Sequence, residues 1–297
     1  FKNFLAGDAA LQSGGKAINF VVDSDKADFR IPIPLKQEGE LQKIQSELKN
    51  RKNKTYIDFN PSYEQIDTFF RKVGNSIDSL SQPSIREAFE QYKSDFFDLL
   101  DYHQDFTETI THLRNRFDTS LGFDIKDIRI SQLTQSNGYY RYILFLIKHI
   151  KHFTEVYNHA VKQCKRKDYQ PVKFLDHQKG WYELPFWLSK NSKRHPVYVK
   201  IEKGRIGFQS ESAKTNLSLN TSGKDEEDII SAIRTSLTLY PKATTLTIMI
   251  RLFLCDTFIH GTGAIEYEKV NNTILHDFFS LVHKPYFYGV TGDIWLP

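Results

Sequence analysis

The sequence predicts an α/β fold: a Rossmann-like parallel sheet core carrying a large helical insertion and a small β-rich excursion. Apolar, strand-like runs stand near both ends of the chain, a long helically periodic region separates them, and a strand-rich stretch interrupts the second half. These shifts in pattern divide the 297 residues into a first part of the core (1–35), a mainly helical region (36–170), the β-rich excursion (171–225) and the last part of the core (226–297).

The first residues already read as the middle of a helix. With no initiator Met before Phe1, the chain is expected to be a piece of a longer protein. After Gly14-Gly15, Ala17 to Asp23 (AINFVVD) is a short β-rich run, expected as a buried strand that ends in Asp23, Ser24, Asp25 and Asp28. Ligands sit at the carboxyl ends of strands in open α/β sheets, which makes Asp23 and Asp25 candidates to hold a sugar hydroxyl, an amine or a metal. Asp and Ser also start turns and cap helices, and that reading accounts for them equally well. Arg30 to Leu35 (RIPIPL) cannot be helical, since Pro32 and Pro34 lack donors and force extended neighbours. Glu38 to Arg51 is polar and charged and suits an exposed helix or a mobile segment.

Helical periodicity then runs through Tyr63 to Val73, Pro83 to His103 and Phe106 to Phe117, with Ser84 and Glu87 spaced as a capping box. Phe123 to Leu133 is richer in β-branched residues and is a candidate to contain a strand. A Ser-Asn-Gly turn at 136–138 precedes Tyr139 to Lys165, read as the longest helix. Its His149 and His152 lie one turn apart, a spacing for two metal ligands, but without a third ligand an amphipathic surface is the simpler reading. Gly180 to Leu188 and His195 to Ser210 read as strands, with Lys203-Gly204 a hairpin centre. Trp181, Phe186 and Trp187 form either aromatic core, the default, or a ligand platform. Ser212 to Asp225 is turn-like, a helix is expected from about Glu226, and another over Lys242 to Leu254, with Arg251 and Asp256 as polar breaks. Tyr286 to Pro297 resembles a last strand.

Composition excludes several classes. Lys and Arg total 40 against 36 Asp and Glu, a dispersed excess of +4 that argues against a nucleic-acid partner. The concentrated patch Lys162 to Lys167 (KQCKRK) reads as a solvated helix end. No apolar run approaches the ~20 residues that cross a bilayer, and no secretory pattern opens the chain. A soluble, cytoplasmic protein without a membrane partner is expected. Cys164 and Cys255 fall in no metal-ligand spacing, which fits a reducing compartment, and no metal site is assigned.

The most informative stretch is Ile259 to Phe279 (IHGTGAIEYEKVNNTILHDFF), where an apolar segment ends in Gly-Thr-Gly and a helical pattern begins at once. Gly261 and Gly263 would let the backbone turn sharply and approach a bound group, while N–H groups opening the helix receive an anion. A tight turn without a ligand is the alternative. His260 is placed for proton transfer. The candidate catalytic residues are His260 and Asp25, and the candidate ligand-binding residues are Asp23, Gly261, Thr262, Gly263, Glu266 and Tyr267.

FVVDSDKADF (Phe20 to Phe29), YVKIEKGRIGF (Tyr198 to Phe208) and YPKATTLTIMIRLFLCDTFIHGTGAIEY (Tyr240 to Tyr267) follow one another in an order that resembles the bacillithiol biosynthesis cysteine-adding enzymes, or putative cysteine ligases. That family carries Arg before its Pro where Tyr240 stands, Pro between its glycines where Thr262 stands, and Glu where Ala264 stands; Glu266 lies two residues later. The acidic segment of the family also contains a His that Asp23 to Asp28 lacks. Its first Gly-rich turn and its final coiled coil would lie outside this sequence, and the coiled coil is where the resemblance places homo-oligomer contacts.

The resemblance implies amide formation between an amino acid, cysteine in the family, and an amino sugar conjugate, with an adenine nucleotide as the cofactor to test. Asp23 and Asp25 would hold the amine or sugar hydroxyls, and Gly261 to Gly263 a phosphate or carboxylate. Two other readings stand beside it: a non-catalytic ligand-binding or scaffold module of the same fold, and a metal-assisted hydrolase using Asp23, Asp25 and His260.

Overall fold

A computed structural model describes residues 2–50, 52–80, 82–283 and 285–292. In chain order the elements are α1 (Lys2–Ser13), β1 (Ala17–Val21), β2 (Phe29–Gln37), β3 (Glu40–Leu48), α2 (Tyr63–Asp78), α3 (Pro83–His103), α4 (Phe106–Ser120), β4 (Ile125–Arg129), α5 (Ile130–Leu133), α6 (Asn137–Lys148), α7 (Ile150–Cys164), β5 (His177–Gln178), β6 (Trp181–Lys190), β7 (Lys193–Glu202), β8 (Arg205–Ser210), β9 (Thr215–Asn220), α8 (Glu226–Ser236), β10 (Leu239–Pro241), α9 (Ala243–Phe253), β11 (Thr257–Gly261), α10 (Ile265–Asp277) and β12 (Tyr286–Val290). The fold is mixed α/β, with its strands distributed over several small sheets. Two compact units divide the chain, Ile18–Arg129 and Phe1–Ala17 with Ile130–Pro297. These boundaries differ from the composition shifts near residues 35, 170 and 225.

Within the Ile18–Arg129 unit, β2 and β3 form an antiparallel hairpin in continuous register from Phe29↔Leu48 to Gln37↔Glu40. Its turn is Glu38-Gly39, with φ of 52° and 85°, the left-handed pair that a two-residue hairpin needs. Of the polar stretch Glu38 to Arg51, Glu40–Leu48 is thus strand and not helix, and Arg51 lies outside the described residues. Only one face of the hairpin is covered, and Ile44, Ser46 and Leu48 supply the required alternation.

Pro32 and Pro34 pair with Gln45 and Lys43. Counted from the turn, these are non-hydrogen-bonded pairs whose nitrogens face outward, where a missing donor breaks no ladder bond. On that outer edge Ser76 Oγ of α2 donates to Pro34 O, and Ser79 Oγ accepts from Lys36 N at 2.9 Å.

A capping box opens α2, with Ser62 and Gln65 bonded reciprocally. At the start of α3, by contrast, Pro83 follows Gln82 without a side-chain cap. The Ser84 and Glu87 spacing is not a cap, because Ser84 is already helical. Ile33 and Leu48 of the hairpin share a core with Ile66, Phe69, Phe70, Val73, Phe96, Leu99, Phe106 and Leu113. A strand does occur within Phe123 to Leu133: β4, which pairs with β1.

In the other unit, β10-β6-β7-β8-β9 form a sheet, with β5 also on β6. All of these pairs are antiparallel. Lys203-Gly204 is the β7–β8 turn, with φ of 45° and 71°. The register of β6 and β7 shifts between Glu183 and Trp187, around Pro185, which has no N–H to give. The turn-like Ser212 to Asp225 contains β9, whose residues alternate half-buried and exposed. Tyr139 to Lys165 is not one helix but two, broken at His149 with φ −112° and ψ 19°. No Pro or Gly marks this break, and apolar periodicity continues across it, so the pattern conceals it.

β11, α10 and β12 form a βαβ unit, with the two strands parallel from Thr257↔Tyr286 to Gly261↔Val290. α1 packs on β11, and α10 packs on α7 and α9. Of the strand expected over Tyr286 to Pro297, residues 293–297 lie outside the described residues. Among the described residues no helix is long and apolar enough to cross a membrane.

Candidate functional site

β11 runs through a short 3-10 turn, Thr262–Ala264, into α10. His260, Gly261, Thr262, Gly263, Glu266 and Tyr267 therefore gather where a parallel strand ends. The two glycines do not play the conformational part expected of them. Gly261 has φ −71°, Gly263 is not among the positive-φ glycines, and a Cβ on either would meet nothing within 4 Å.

The glycine that sterics require is Gly289, which faces His260 in the strand register. A Cβ there would lie 2.3 Å from Ile265 Cδ1. Gly289→Ala is expected to cost about 1–3 kcal/mol by pushing Ile265 and the start of α10 outward. Urea denaturation checks this, with Gly261→Ala as the near-neutral control.

Behind the turn lies a buried polar network. Arg251, on the apolar helix α9, is 1 % exposed and donates to Glu268 Oε2 at 2.7 Å, to Asn272 Oδ1 at 2.8 Å and to Pro285 O at 2.8 Å. The guanidinium also lies over the Phe287 ring. Glu268 is fully buried, and its Oε1 accepts from Asn271 Nδ2 at 3.0 Å and lies 3.3 Å from His260 Nε2. Tyr267 Oη is 3.0 Å from the same His260 nitrogen, with Thr247 Oγ1 at 3.5 Å. Burial, with Glu268 nearby, pushes the Tyr267 phenol up to about 12, so it remains a neutral hydroxyl at physiological pH. Carboxylate and guanidinium offset each other's charge, and an imidazole beside a carboxylate is oriented and supported when it takes a proton.

Glu266 has a different role from Glu268: it pairs on the surface with Lys269 at 2.9 Å and Arg166 at 3.2 Å. Asp23 and Asp25 belong to the Ile18–Arg129 unit. Asp23 is fully buried and accepts from Arg129 Nε at 2.9 Å, while Arg129 also reaches Glu108 and Asp105. Asp25 Oδ1 accepts from Lys26 N at 2.6 Å, and its carbonyl from Tyr56 N at 2.9 Å. The Asp25 side-chain bond is local, of the kind that shapes a turn, whereas Asp23 is held by Arg129, 106 positions away.

Trp181, Phe186 and Trp187 make no common platform. Phe186 is core, against Tyr139 and Tyr142, whereas Trp187 carries Lys242 and Arg194 over its ring. Burial pushes the Cys255 thiol up to about 11, which keeps it un-ionised at neutral pH. Among the described residues no group of three or more His, Cys, Asp and Glu side chains is placed to hold a metal ion.

Glu268, Arg251 and Asn271 are the site residues that sequence reasoning missed. The available signal was Arg251 itself, a lone charge within an apolar helix, since a buried charge requires a partner. No protein-family model matches the sequence, and no curated protein is significantly similar to it.

Proposed function

We propose that the chain is a ligase-like protein that binds a small polar ligand where β11 ends, with His260 accepting a proton from an amine nucleophile. The supporting observation is the pairing of His260 Nε2 with the buried Glu268 at 3.3 Å, in a network anchored by Arg251. A Rossmann-like reading of this part of the chain draws support from the parallel β11–α10–β12 unit, and the carboxyl end of such a strand is where ligands bind in open α/β sheets. In the proposed reaction the amine attacks an activated carboxylate, a C–N bond forms, the activating group departs and the amine proton passes to His260. The resemblance to putative cysteine ligases supplies the substrate classes: an amino acid, an amino sugar conjugate and an adenine nucleotide for activation.

The test is amide formation by the full chain from these three components, followed by mass spectrometry. His260→Ala is expected to lose about 100-fold or more in rate with its melting temperature little changed. An unchanged rate would remove His260 from the mechanism. Absence of product with the unaltered protein would remove the ligase reading. A second reading, a non-catalytic binding module, is favoured by the fact that His260 Nε2 already has Tyr267, Glu268 and Thr247 around it. It predicts thermal stabilisation by nucleotide or amino sugar without turnover.

A further inference from the structure

We propose that an open groove in the unit containing Ile130–Pro297 binds a phosphorylated small molecule through Lys148, His149, Lys151 and His152. The groove encloses about 370 Å³, within the ~300–1,000 Å³ of small-molecule sites. These four residues line it with a single carboxylate, that of Glu155.

Its geometry follows from the break at His149. The rings of His149 and His152 both sit against Phe278, with centroids at 6.5 and 5.4 Å, so one aromatic side chain seats both imidazoles beside the lysines. On the other wall are Tyr182, whose ring stacks on His177 at 5.7 Å, and the exposed Ile201. Lysine ammonium groups and imidazole N–H donors suit a phosphate dianion, and the Tyr182 and Ile201 wall suits the flat or apolar body that carries it. A cation fits less well: His149, His152 and Glu155 do not form a metal-holding group. The groove shares no residue with the His260 network, so either assignment can fail without the other.

Calorimetric titration of the full chain with inorganic phosphate, at constant ionic strength set with chloride, tests the proposal. Saturable binding is expected, weakened about 10-fold or more in Lys148→Gln/Lys151→Gln, both lysines making charge-assisted contacts. Lys148 is paired with Glu226, so Glu226→Gln should release it and tighten binding about twofold. Both lysines are exposed, and an unchanged melting temperature would show that the double variant folds. Adenosine monophosphate and a hexose phosphate, titrated in parallel, identify the body by which of them binds more tightly than phosphate alone. No saturable binding of phosphate, or equal affinity in the folded double variant, would overturn the proposal.

Discussion

Replacing Arg251 by methionine is expected to destabilise the protein by about 3–5 kcal/mol, because it leaves the buried Glu268 carboxyl without its guanidinium partner. The native pair has side chains 1 % and 0 % exposed, so water cannot take over the role of the guanidinium. Two further acceptors, Asn272 Oδ1 and Pro285 O, lose their donor in the same step. Chemical denaturation of the single variants Arg251→Met and Glu268→Gln and of the double variant measures the coupling, expected at about 1–3 kcal/mol. The double variant should be more stable than the sum of the single losses implies, since it removes the uncompensated charge. A loss below about 1 kcal/mol in Arg251→Met would contradict the buried ion pair described here, and with it the network on which the proposed role of His260 rests.

Phe70→Ala is expected to cost about 3–5 kcal/mol through lost burial and the cavity left behind. Phe70 is 4 % exposed, and the rings of Phe69, Phe89, Tyr92, Phe96 and Phe97 surround it with centroids between 5.0 and 6.3 Å. Rings at these separations and edge-on or tilted angles cannot close over the space without breaking their own contacts. Tyr102→Ala, at a residue 81 % exposed, provides the comparison and should stay within about 0.5 kcal/mol of the unaltered protein. Equal losses at the two positions would contradict the packing described for the Ile18–Arg129 unit.

What could be read from the sequence was what local chemistry determines. Lys203-Gly204 gave away its hairpin because a two-residue turn needs two left-handed residues, and Pro32 and Pro34 excluded helix on their own. β3 and β9 were hidden because a strand covered on one face needs few apolar residues, so its sequence resembles a polar loop. The site divides in the same way. His260, Tyr267 and the turn between them are neighbours in sequence and were visible together. Glu268 and Arg251 lie 17 positions apart, and only the folded chain brings them into one network. Gly289 was invisible for a related reason, since its close neighbour Ile265 lies on the helix of the same βαβ unit.

The outer edge of β2 has a consequence for how this protein behaves at high concentration. An uncovered strand edge offers a row of donors and acceptors onto which another molecule can add a strand, the first step toward aggregation. Along the middle of this edge, Pro32 and Pro34 have no donor to offer, Lys36 N is held by Ser79, and Pro34 O is held by Ser76. The prolines that make the strand recognisable as non-helical therefore also deny a neighbouring molecule its template, and Ser76 of α2 and Ser79 just past its end complete the block.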